Sequence, residues 1–237
     1  MSQTIEQVEL NDPGAEGWRT QKLWGVLTLV SMAVLMYLAL VWAPEDSVQG
    51  APQRIFYIHV PSAWIAFLAF FVVFVCSIAV LVTGDRKWDD RAVSSAEVGV
   101  VFTTAVLISG PLWAKPIWGV YWSWDPRLTS SFILWLIYLS YLALRSYVPD
   151  PARRARFSAV LGIVGFVDVP IIYFSVRWWR ALHPGYVIQP GKVDMPGEMV
   201  WTLMVGLLAF TFLYLFLLGL RLQNQRLQNA NERKGLE

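Results

Sequence analysis

Two histidines and one aromatic loop are the residues of this chain best suited to chemistry. His59 and His183 are its only imidazoles, and from Trp113 to Trp124 it reads WAKPIWGVYWSW, four Trp and a Tyr in twelve residues. Trp178 and Trp179 stand four or five residues before His183. Trp118 and Trp122, four apart, share a face in either a helix or a strand, and Trp124 joins that face only where the segment is extended. Taken singly, a Trp at a membrane interface is an anchor with its N–H at headgroup level, and a His near a helix end is a hydrogen-bonded interfacial group. Clustering changes that reading. Aromatic faces hold a flat, largely apolar macrocycle, and neutral imidazole is a common axial ligand of haem iron. The propionates of such a ligand need cations, and Arg54, Lys115, Arg127, Arg177 and Arg180 all lie in the same set of loops. The pattern favours a haem site, while a flat quinone-like or drug-like ligand could use the same platform.

Other reactive residue types carry less. Cys76 is the single cysteine and lies in an apolar run, so no internal disulfide can form and the thiol behaves as a small hydrophobe. C-x-x-C-H is absent, so the chain does not attach haem covalently to itself. GYVIQPGKV, Gly185 to Val193, differs from a phosphate loop by one residue of spacing and by Val193 where Ser or Thr is needed. Asp168 lies about ten residues into an apolar span just before Pro170, where a carboxylate is expensive. A structural hydrogen-bonding role beside the proline is the first expectation there, with proton or substrate handling the other. Glu97, near the end of its span, can reach the interface.

The elements that must position these residues are membrane helices. Of 237 residues, 56% are hydrophobic and only 15% charged, well below the quarter usual in soluble domains. This balance excludes disorder, collagen and nucleic-acid binding, and makes membrane lipid the surrounding medium. About 20 apolar residues span the hydrocarbon core. Six such stretches occur, near residues 23–43, 62–83, 93–114, 128–146, 158–176 and 200–220, and they predict an all-α polytopic membrane protein. Asp125 and Pro126 read as the N-cap and first-turn proline of the fourth helix. Thirteen Lys and Arg fall in the two tails and the loops at 84–92 and 145–157, against six in the other loops, which places both termini in the cytoplasm. The expected organisation is a cytoplasmic tail over 1–22, a six-helix membrane domain over 23–220 and a cytoplasmic tail over 221–237 that extends the last helix. Both histidines and the aromatic loop then share the outer side.

WGVYWSWDPRLTS, Trp118 to Ser130, resembles the tryptophan-rich WWD signature of haem-handling membrane proteins in cytochrome c biogenesis. RIFYIHVPSAW around His59 and DVPIIYFSVRWWRALHPG around His183 narrow the resemblance to the six-span CcmC family. It covers roughly residues 50–185; longer relatives with the same signature, of the CcsA and CcmF types, have more spans. The resemblance implies His59 and His183 as the two axial ligands to haem iron. It also implies Trp118, Gly119, Trp122, Trp124 and Asp125 as the WWD platform within about 113–130, with Arg127 as a propionate or partner contact. Non-covalent, transiently held b-type haem is the implied cofactor, with no bond-making catalysis. The implied setting is the outer face of the bacterial inner membrane, where haem is presented to the chaperone CcmE beside the CcmA/CcmB ABC transporter and CcmD. A secondary transporter for an apolar solute is the alternative; it predicts inverted repeats and helices broken at the midplane.

Overall fold

The computed structural model describes residues 13–179, 183, 188–189 and 192–234. Helices account for nearly all of it: α1 (Pro13–Tyr37), α2 (Phe56–Thr83), α3 (Arg86–Trp118), α4 (Pro126–Tyr147), α5 (Pro151–Phe166), α6 (Asp168–Trp178) and α7 (Gly197–Lys234). A two-residue antiparallel hairpin pairs Ile188 with Val193 and Gln189 with Lys192. Among the described residues, six helical stretches are long and apolar enough to cross a membrane: Gly17–Trp42, Ala51–Thr83, Arg86–Trp118, Pro126–Tyr147, Pro151–Trp178 and Gly197–Gln228. The protein is an all-α, multi-pass membrane protein.

Local chemistry sets where these helices start and stop. Asp85, Asp125 and Asp150 each cap a helix by accepting from backbone N–H groups of its first turn, and Pro126 and Pro151 follow two of them where no N–H is needed. The expected cap at Asp125 is therefore present, with Arg127 N and Leu128 N both donating to Oδ1 at 3.0 Å. The second helix begins at Phe56, six residues before its expected start, so His59 lies in its first turn. Pro61 lies inside it, and this close to a helix start it withdraws only one backbone bond. Immediately before, Ala51–Ile55 forms a 3-10 turn that feeds straight into α2.

Two spans depart from a plain helix. The first ends in a π-helical turn, Leu38–Trp42, where Ala43 N donates to Leu38 O at 2.8 Å. That longer loop releases the Ala39 carbonyl, and the Arg54 guanidinium donates to it. The fifth span is broken: α5 stops at Phe166 and α6 starts at Asp168. Pro170 has no N–H for the Phe166 carbonyl, which accounts for a break there.

α2 runs through the middle of the bundle, and Tyr57, Ile65, Ala69, Phe70 and Val73 are fully buried along it. Phe70 stacks on Tyr138 of α4 with ring centroids 3.7 Å apart. α7 closes the bundle against α1, where Gln21 Nε2 donates to the Phe216 carbonyl at 2.5 Å. A 33-residue helix such as α3 is about 50 Å long, so its two ends lie beyond the hydrocarbon on opposite sides. The Trp118 end carries the candidate site.

Candidate functional site

His59 enters this end from the first turn of α2 and meets the last third of α3. Its Nδ1 lies 2.9 Å from Ser109 Oγ. The Trp113 ring stands edge-on to the imidazole at 5.7 Å. Trp113 is itself held: its Nε1 donates to Gln49 Oε1 at 2.9 Å, and Phe56 packs edge-on at 5.9 Å. One turn back along α3 from Trp113, a side chain at Gly110 would place its Cβ 3.3 Å from His59 Cε1, tighter than ordinary contact.

α3 stops at Trp118 because Gly119 takes the left-handed conformation, φ 76°, with its N–H returning to the Lys115 carbonyl. Lys115 Nζ donates to the Gly119 carbonyl at 2.8 Å and lies 5.2 Å over the Tyr121 ring. From here to Asp125 the chain is irregular. Trp118 therefore does not share a face with Trp122, as the four-residue spacing had suggested for a regular element. Trp118 turns to His183, edge-on at 6.3 Å. Trp122 turns to Trp124 at 5.6 Å and to Phe132 of α4 at 6.3 Å.

Both histidines nonetheless meet the aromatic stretch at the same end of α3, His59 at Trp113 and His183 at Trp118. Trp124 is 75% exposed. Asp125 caps α4 and also accepts from Ser123 Oγ at 3.2 Å. Of the expected cations, Arg54 is engaged by the Ala39 carbonyl and by Glu45, Lys115 by Gly119, and Arg127 and Arg177 also have partners. Arg180 and most of the Gly185–Val193 segment lie outside the described residues. Trp178 stacks on Phe174 at 5.4 Å and meets Trp179 edge-on at 5.7 Å, an aromatic step on the path to His183.

Sequence reasoning missed the rest of the aromatic wall. A cavity of about 440 Å³ opens between α3 and α4, lined by Thr104, Leu107, Ile108, Trp122, Trp124, Phe132 and Trp135. Trp135 stacks on Phe132 at 5.9 Å, and its Nε1 is fixed by a 2.9 Å bond to Thr104 Oγ1. Trp122 Nε1, by contrast, is buried with no partner among the described residues. The only signal for Phe132 and Trp135 is their i, i+3 spacing on α4, which ordinary membrane packing also produces. The arrangement fits a flat aromatic ligand: an apolar recess walled by rings, with the buried Trp122 indole donor beside it.

A multi-pass helical membrane protein whose tryptophan-rich loop meets two histidines is the class that the fold and the site define. Residues 16–236 match the family model described as Heme exporter protein C, CcmC. A relative so named in Bradyrhizobium diazoefficiens is 40% identical over 85% of this chain and 76% of its own. Another, from Haemophilus influenzae, is 34% identical over 89% of this chain and 86% of its own. A Marchantia polymorpha relative, named as a ccmC-like mitochondrial protein of cytochrome c biosynthesis, is 36% identical over 71% and 69%. The chain belongs to the CcmC family.

Proposed function

We propose that this protein binds haem between His59 and His183 and hands it on for c-type cytochrome biogenesis. The observation that carries the reading is that both imidazoles meet the aromatic stretch at one end of the bundle, His59 at Trp113 and His183 at Trp118. His59 and His183 would hold the haem iron. Trp118, Gly119, Trp122, Trp124 and Asp125 form the platform and its frame, and Arg127 contacts a propionate or a partner. Bound haem supplies an iron centre and a flat hydrophobic face; the chain supplies ring contacts and two nitrogen donors. The haem is b-type, non-covalent and transient, since its release is the purpose.

The site faces outward from the bacterial inner membrane. The basic residues support that orientation, being concentrated in the tails and in the loops at the opposite end of the bundle. There the protein presents haem to the chaperone CcmE, with the CcmA/CcmB ABC transporter supplying ATP dependence and CcmD alongside. The test is the absorption spectrum of detergent-purified protein. Changing both His59 and His183 to Gly is expected to abolish or radically alter the bound-haem bands; an unchanged spectrum would overturn the assignment.

The break at Val167 favours one other reading, a secondary transporter of an apolar solute, because broken mid-membrane helices line transport sites. Proteoliposomes containing this protein alone separate the two. Binding without haem flux is expected, and autonomous flux would favour the transporter.

A further inference from the structure

Ser109 and Gly110 sit next to each other in the last third of α3, and both touch His59. Ser109 Oγ makes two close polar contacts, 2.7 Å to the Ala105 carbonyl and 2.9 Å to His59 Nδ1. A carbonyl oxygen can only accept, and two oxygens at that separation need a hydrogen between them. The single hydroxyl proton of Ser109 therefore points back along its own helix, leaving lone pairs toward the imidazole. Nδ1 must then carry the hydrogen of that bond, and in a neutral ring Nε2 is left with its lone pair free.

We propose that Ser109 is a positioning residue that fixes the tautomer and ring plane of His59 so that Nε2 is presented to iron, and that Gly110 keeps the space beside the ring open. This inference rests on the reading of His59 as an axial ligand. Three groups on one stretch of α3 form the seat: Ser109 holds Nδ1, Trp113 stands edge-on to the ring, and Gly110 leaves Cε1 uncrowded. Cε1 is bonded to both ring nitrogens, so a methyl group at 3.3 Å would press on the ring close to the nitrogen that must bind. Metal-ligating imidazoles characteristically donate their second N–H to a fixed acceptor, and losing that acceptor costs about 10- to 100-fold in metal affinity.

The first measurement uses haem-free full-length protein. Nitrogen-15 NMR of the two histidines, assigned with the His183→Gly variant, should show Nδ1 of His59 protonated and Nε2 not. The reverse tautomer would overturn the proposal, even if no variant could be purified. The second is haem titration of Ser109→Ala, Ser109→Thr and Ser140→Ala, followed by absorption and by electron paramagnetic resonance of the ferric state. Ser140 makes the same bond to its own helix, to Leu136 O at 2.8 Å, with no histidine attached. Ser109→Ala should bind haem about 10- to 100-fold more weakly and show altered ferric resonance. Ser109→Thr should restore both, and Ser140→Ala should resemble the unaltered protein. If His59→Gly alters the spectrum while Ser109→Ala matches the unaltered protein, the seat is wrong and the ligand assignment stands. If His59→Gly changes nothing, both fall.

Discussion

Gly119 holds its backbone at φ 76°, where a side chain other than that of Gly costs about 1–2 kcal/mol. It ends α3 between Trp118, which turns to His183, and the strand of chain carrying Trp122 and Trp124. Gly119→Val should therefore redirect the loop and lower the haem retained on purification, while Asn, which tolerates this conformation, should do less harm. Gly84 is the internal comparison, a glycine at φ 67° ending α2 at the far end of the bundle. Gly84→Val should lower the melting temperature in detergent but leave haem affinity unchanged; equal haem loss in both would show that the effect is not local to the loop. At this scale the sequence was legible where residues are rare. Two histidines and a dense Trp loop stand out against an aliphatic background. Ser109, Gly110, Thr104 and Phe132 do not, because each is ordinary in a membrane helix, and only the fold sets them against His59 or Trp135. Asp125, readable as cap or platform, is a cap by direct contact.

Between elements, a buried polar tie lies remote from the site. Arg145 of α4 grips Asp89 of α3 through two bonds, 2.6 and 2.8 Å long, and Asp89 is only 6% exposed. In the sequence Arg145 is one more cation of the basic 145–157 loop; its pairing with Asp89 appears only when α3 and α4 are brought side by side. Removing one partner of a buried pair strands the other charge, at about 3–5 kcal/mol. Asp89→Asn should thus lower the melting temperature sharply. Asp89→Asn combined with Arg145→Met should recover part of the loss, since no lone buried charge is left. Similar melting for Asp89→Asn and the unaltered protein would show the pair to be energetically idle. The number and order of the spans were legible from apolar runs. Their ends were less so: helices of 33 residues overrun the hydrocarbon with polar turns that a hydropathy scan discards. The break in the fifth span was hinted at by Asp168 and Pro170. Asp168 Oδ2 is buried without a partner among the described residues, so the structural hydrogen bond first expected for it is not made at that atom.

For the whole molecule, six spans require that the loop before α2 and the turn between α4 and α5 lie on opposite sides of the membrane. The histidines belong to the first side, and the buried Asp89–Arg145 pair belongs to the second. Charge supports the orientation proposed above: Arg86, Lys87, Arg91, Arg153, Arg154 and Arg156 cluster with the second, the side that the positive-inside rule assigns to the cytoplasm. The protein's single cysteine makes this directly measurable. Cys76 is buried, so it should contribute little background to thiol labelling. Val48, 91% exposed in the loop before α2, and Tyr147, 83% exposed at the end of α4, mark the two sides. In spheroplasts treated with a membrane-impermeant maleimide, Val48→Cys should be labelled at once and Tyr147→Cys only after the membrane is opened. The reverse pattern would put the histidines on the cytoplasmic face, and delivery of haem to an outer-face chaperone would fail with it. Labelling of both in sealed spheroplasts would contradict the six-span topology itself, because an odd number of crossings separates these two positions.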